Sequence, residues 1–288
     1  MSNPNKMMAD FQRLLKTQNF QSKEEVEAFM KNMMGQQVPE FDKGALSFEE
    51  QAEDLVMEAQ RLNPEESMLP ILEALDLDPE CIMAYEYLGN IQPVPQLGIS
   101  YFAYGVQLGR EKFKEEIIES KGELWYHHHL RPFMRCLSNY ANCLYALGSH
   151  EKSLAIYKEV LELSKNDNMG VRYIYGAYLL EQNKLDEFEK LDKDFDYEES
   201  TMCCFNRVLY SFLKTGESPE TLKLLVQAKA QNKFIITLLT AKEPKDTNAP
   251  SYSMGSKDEA QYYTSFAFYV WQELKGAIDF LKKQKIIT

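Results

Sequence analysis

The residues most able to do chemistry are three adjacent histidines, His127, His128 and His129, followed closely by Arg131 and Arg135. Imidazole is the commonest metal ligand and titrates near neutrality, so such a run invites a metal centre or an acid–base role. On regular helix, neighbouring residues diverge by about 100°, and at most two of the three then share one ligand sphere. No HExxH spacing and no nearby cysteine or carboxylate triad completes a site. The expectation is a surface or helix-start segment. A metal-binding or enzymatic protein centred on His127 to His129 and Arg131 is the alternative.

Arg131, Arg135 and Arg172 are the next candidates, because guanidinium forks match planar oxyanions such as carboxylate or phosphate. Arg131, set before Pro132, and Arg172 are expected to pair internally, since arginine is rarely buried without a partner. Asn166-Asp167-Asn168 offers oxygen ligands but lacks the alternating acids and the twelfth-place Glu of a calcium loop, so it reads as a turn that caps the next helix. The sequence has no GxSxG and no Gly-rich phosphate loop. No catalytic residue, metal or cofactor is assigned. Cys81, Cys136, Cys143, Cys203 and Cys204 include no CxxC pair and read as reduced, mostly buried small hydrophobes.

Composition narrows the partner class. With 32 basic against 44 acidic residues the formal charge is -12, and no basic patch stands out, which argues against nucleic acid and anionic membrane. No stretch approaches eighteen uninterrupted apolar residues, and Met1 to Lys6 lacks a basic segment leading into an apolar one, so a cytoplasmic location is expected. Apolar residues make up 44% of the 288, enough for a packed core, while only 13 Gly and 11 Pro favour helix over turn-rich strand folds.

The elements that must position these side chains are helices. Val26, Phe29, Met30, Met33 and Met34 fall on one helical face, and Ser22/Glu25, Ser47/Glu50 and Ser256/Glu259 have the spacing of capping boxes. The methionines at 7, 8, 30, 33 and 34 are expected to pack, and Asp186 to Glu199 to form a solvated acidic face. Gly148 and Gly216 stand 68 residues apart, two periods of 34 with Gln182 midway, and each glycine follows one apolar helix and precedes another. Tyr85, Leu88 and Gly89 occupy aromatic, leucine and small positions after Pro79. Leu137, Tyr140, Ala141 and Leu144, then Ser153, Tyr157 and Val160, repeat the large and small pattern of a helical hairpin.

On these residues the chain resembles the tetratricopeptide repeat (TPR) superfamily, with units near 48–81, 82–115, 134–167, 168–201 and 202–235. Trp125, the Arg131-Pro132-Phe133-Met134-Arg135 run and Asn166 to Arg172 also look like a group of mainly bacterial TPR-like proteins related to the suppression-of-tumorigenicity 7 family. The histidine run departs from that group, so the resemblance implies no metal role. It implies an all-α, right-handed α-solenoid of about five degenerate hairpins. Residues 1–46 would form an N-terminal helical cap, 47–240 the repeats with an insertion at 116–133, and 241–288 a surface loop and C-terminal capping helix closing the solenoid's open end. Carrying over the groove positions gives a mixed polar and aromatic lining: Arg135, Ser138, Asn142, Tyr145, Arg172, Asn206 and Tyr210, with Arg207 beside them. Arg135 is the leading ligand contact. Cys203 and Gly176 fall where a carboxylate clamp needs polar side chains, so a clamp-type chaperone partner is not expected. The implied function is non-catalytic binding of a protein or peptide in the concave groove, with self-association through the Met-rich and aromatic ends as a third option.

Overall fold

The computed structural model describes residues 4–245, apart from positions 19, 21, 40, 42 and 121, together with residues 251–285. Residues 1–3 of the expected N-terminal cap, 246–250 of the expected surface loop, and 286–288 lie outside the described residues. The described chain is all-helical, 74% helix without a strand. Its sixteen α-helices are α1 (Pro4–Thr17), α2 (Lys23–Met33), α3 (Phe48–Ala59), α4 (Pro64–Leu77), α5 (Ile82–Asn90), α6 (Pro95–Lys112), α7 (Lys114–Glu119), α8 (Arg131–Ala146), α9 (His150–Leu163), α10 (Val171–Glu181), α11 (Leu185–Asp194), α12 (Thr201–Thr215), α13 (Pro219–Gln231), α14 (Ile235–Leu239), α15 (Lys257–Glu273) and α16 (Ala277–Lys285). None of them is long and apolar enough to cross a membrane.

Local chemistry sets the helix ends. Ser47 accepts the Glu50 N–H while the Glu50 carboxylate accepts the Ser47 N–H, a complete capping box for α3. Asn63 caps α4 ahead of Pro64, which starts the helix where no N–H is needed. Pro95 opens α6 in the same way, so α5 stops at Asn90 and is only 9 residues long. Between α10 and α11, where no glycine stands, Asn183 takes the left-handed conformation with φ +54°. The Lys184 N–H then bonds Leu179 O, and the Asn183 N–H bonds Leu180 O, closing a Schellman turn.

Cα packing divides the chain into two compact units, one of Met1–Ser120 with Tyr126–Gly148, the other of Lys121–Trp125 with Ser149–Thr288. In the first, α3 pairs with α4 and α5 with α6, around Ala52, Val56, Ile71, Ala74, Ala84 and Leu88. Helix α5 also neighbours α3 and α8, and α8 packs on α6 as well. Gly89 lets α6 come this close: a β-carbon there would lie 2.6 Å from the Phe102 ring.

In the second unit α10 packs against α9, α11 and α12, and α12 pairs with α13. Helix α15 lies on α10 and α14, burying Ala260, Tyr263, Ala267, Phe268, Val270 and Trp271. Segment 122–124 joins this unit through a lone antiparallel bridge of Glu123 with Ser164 and the Lys165 N–H donating to Gly122 O. All five cysteines are free; four are buried and Cys203 is half-buried.

Candidate functional site, a polar groove in the first unit

Helices α1, α3, α5 and α8, with the turn before α8, line a groove of about 590 Å³. Helix α3 contributes Glu50, Glu53, Met57 and Gln60, α5 contributes Met83 and Glu86, and α8 with the turn before it contributes His128, His129, Arg131, Pro132 and Arg135. The remaining wall is α1, through Met8, Ala9, Gln12 and Arg13. The volume is within the range of about 300–1,000 Å³ usual for ligand clefts.

Its chemistry is mixed. Met57 and Met83 give an adaptable apolar surface, and ionic pairs edge it. Arg135 donates Nε to Glu86 Oε1 at 2.6 Å and Nη2 to Oε2 at 2.7 Å, a bidentate pair that fixes α8 to α5. At the α1 wall, Arg13 bonds Asp10 at 2.8 Å, Asp54 at 2.9 Å and the Glu50 carbonyl at 3.2 Å. Lys6 also reaches Asp54, at 3.1 Å. Partial burial, and then the neighbouring Arg131, lower the His128 pKa from its ordinary value. Burial and Arg135 likewise lower the Arg131 pKa, though a guanidinium keeps its charge at neutral pH.

The three histidines are exposed, His128 and His129 in a single 3-10 turn before α8. The His127 and His129 rings meet edge-on at 6.2 Å, and His129 lies against Phe113. Among the described residues no three His, Cys, Asp or Glu side chains converge on a metal position.

The eight residues expected to line one groove divide four and four between the units. Arg135, Ser138, Asn142 and Tyr145 lie along α8, and of these only Arg135 lines the first-unit groove; Tyr145 is buried. Arg172 belongs to an internal cluster, paired with Asp167 at 2.8 Å and Glu198 at 2.6 Å and stacked on Tyr173. The Asp167 carboxylate also accepts the Val171 and Arg172 N–H groups, so it caps α10 as the Asn166 to Asn168 turn predicts. Burial pushes the Asp167 pKa up, and the bonds from Arg172 and Val171 oppose the shift.

Asn206 has to be corrected outright. It is 2% exposed, donates to Tyr173 O and accepts from the Tyr263 hydroxyl, so α15 occupies the place where a ligand was expected. Arg207 and Tyr210 turn instead towards α11. Arg207 pairs with Asp192 and donates to Glu198 O, while Tyr210 donates to Glu189 at 2.6 Å and lies against Phe188.

Ser256/Glu259 also departs from its capping box. Ser256 accepts the Glu259 N–H, but the Glu259 carboxylate is buried and accepts from Thr201, Asn232 and the Gly255 N–H at 2.8–2.9 Å. Sequence reasoning missed Glu86 and α1 as groove elements. The signal for Glu86 was present: it is the single charged residue of the apolar helix Ile82–Asn90. No family model matches the chain, and no curated protein or solved structure is significantly similar to it.

Proposed function

We propose that this chain is a non-catalytic, TPR-like scaffold that binds a protein or peptide segment, and that the groove of the first unit is its binding surface. One observation carries the reading: α3, α5 and α8 line a single cleft with Met57, Met83 and paired charges, and the His128–His129 turn and Arg131 stand at one end. Such a surface offers hydrogen bonds and ionic contacts to a main chain and apolar contact to its side chains. Helix pairs α3/α4, α5/α6 and α10/α11 fall within the expected repeat units, and α12/α13 starts one residue before its own; these pairs support the solenoid reading. The net charge of -12 favours a polypeptide partner over nucleic acid.

The test is site-specific photocrosslinking in extract of the source cells. A photoreactive residue at Gln60 or Met83 is expected to capture a discrete polypeptide. The same residue at the exposed Leu69 of α4 is expected to capture none. Equal labelling from all three positions, or none from the groove, rejects the groove as the binding surface.

A further inference from the structure

Helix α1 is held differently from every other groove element. Of its side chains with described placement, only two are buried, and both are charged: Asp10 and Arg13, at 3% and 6% exposure. Met7 and Met8 stay about half exposed. By contrast α3 buries Ala52, Val56, Met57 and Ala59. A helix seated by apolar burial is held by the area it removes from water, whereas one seated by charged groups must offset their desolvation with every ion pair it keeps.

The charges on the two sides are complementary. In sequence, α1 carries Lys6, Arg13 and Lys16 against the single acid Asp10, whereas α3 carries Glu49, Glu50, Glu53, Asp54 and Glu58 and no base. Lys6 and Arg13 converge on Asp54, and Arg13 also meets Glu50 at 3.4 Å. Removing α1 would uncover an acidic helix face beside Met57 at the edge of the groove.

We propose that α1 is a displaceable occupant of this face, latched by Arg13 onto Asp54. The partner that takes its place is a basic amphipathic helix offering an arginine to Asp54 and Glu50 and an unbranched apolar side chain to Met57. This rests on the groove being a binding surface, but it is tested without any cellular partner. The tether keeps α1 at high effective concentration, so the intact chain is closed to weak competitors and opens when the latch is cut.

The probe is a labelled synthetic peptide of residues 4–17, titrated by fluorescence anisotropy into the full-length chain at low salt. Wild type is expected to bind it weakly. The Arg13→Ala chain, with its own α1 unlatched, is expected to bind at least 10-fold more tightly, and Arg13→Ala/Asp54→Arg to lose that gain. Equal affinity for wild type and Arg13→Ala, or a gain that survives Asp54→Arg, overturns the proposal. Hydrogen exchange separates unlatching from a general folding defect, which would move α4 as well. In the Arg13→Ala chain, exchange in α1 is expected to accelerate at least 10-fold while α4 stays unchanged. Unchanged exchange in α1 of that chain also overturns it. Peptide binding together with failed photocrosslinking would leave the latch standing and remove only the external partner.

Discussion

Arg135 lays two guanidinium nitrogens along the Glu86 carboxylate, joining helices whose contacting residues are 49 apart in sequence. Glu86 is 6% exposed, while the Arg135 side chain keeps about a third of its surface in water. Removing the arginine strands a nearly buried carboxylate, which costs more than the intact pair contributes. Arg135→Ala is expected to destabilise the first unit by about 2–3 kcal/mol, less than for a wholly buried pair. Glu86→Gln/Arg135→Met is expected to recover most of that loss. Urea unfolding followed by circular dichroism, with hydrogen exchange in α5, measures both.

The Tyr263 hydroxyl stands between two buried partners, donating to Asn206 Oδ1 at 3.1 Å and accepting from Trp271 Nε1 at 2.9 Å. Tyr263→Phe keeps the ring but leaves both partners short of a bond, at a cost of about 1–3 kcal/mol. Asn206→Ala is expected to cost a similar amount, and the double substitution less than the two together, because they share one bond. Trp271 fluorescence during denaturation reports the change directly.

Gly89→Ala tests how closely α5 and α6 approach. The new methyl would lie 2.6 Å from carbons of the Phe102 ring, and Phe102 is itself 4% exposed with little room to withdraw. Overpacking of this kind costs about 1–3 kcal/mol. Gly89→Ala/Phe102→Leu should regain part of it in a thermal melt, whereas an unchanged melting temperature for Gly89→Ala would contradict the packing.

Burial pushes the Cys81 thiol from the ordinary 9.0 to about 12. The folded thiol therefore holds its proton while the unfolded one ionises. Its contribution to stability is complete below about pH 9 and is lost as pH rises towards 12, at up to about 1.4 kcal/mol per pH unit. Cys81→Ala should flatten that alkaline decline. Alkylation followed by mass spectrometry at pH 8 should leave Cys81 unmodified until the chain unfolds.

What the sequence made legible was local. Gly148, Gly216 and the proline positions located helix ends to within a few residues, because caps and turns depend on neighbours in the chain, but the boundary between the two units follows Gly148, where a turn within a packed hairpin was expected. Even the missing glycine at Gln182 was a gap in the pattern rather than in the fold, since Asn183 adopts the conformation a glycine would have supplied. What stayed hidden was the destination of each terminal helix. Nothing near Asn206 shows that Tyr263, 57 residues later, will use its amide, and nothing near Arg13 names Asp54. The groove positions carried over from the repeat pattern named four residues on α8, of which Arg135 alone lines the first-unit groove, and they could not tell that α15 covers Asn206.

The bond from Tyr263 back to Asn206 also sets a timetable. A chain made at about 5–20 residues per second exposes α12 for several seconds before Tyr263 is even synthesised. During that interval the α10 surface later covered by α15 is bare, and the Asn206 amide has water in place of the tyrosine hydroxyl. The face of α10 and the Asn206 amide can therefore be covered only when the stretch through Trp271 clears the ribosome. A pause in translation across codons 207–271 would lengthen the one period in which the second unit's unfinished interior is open to aggregation or to a holding chaperone.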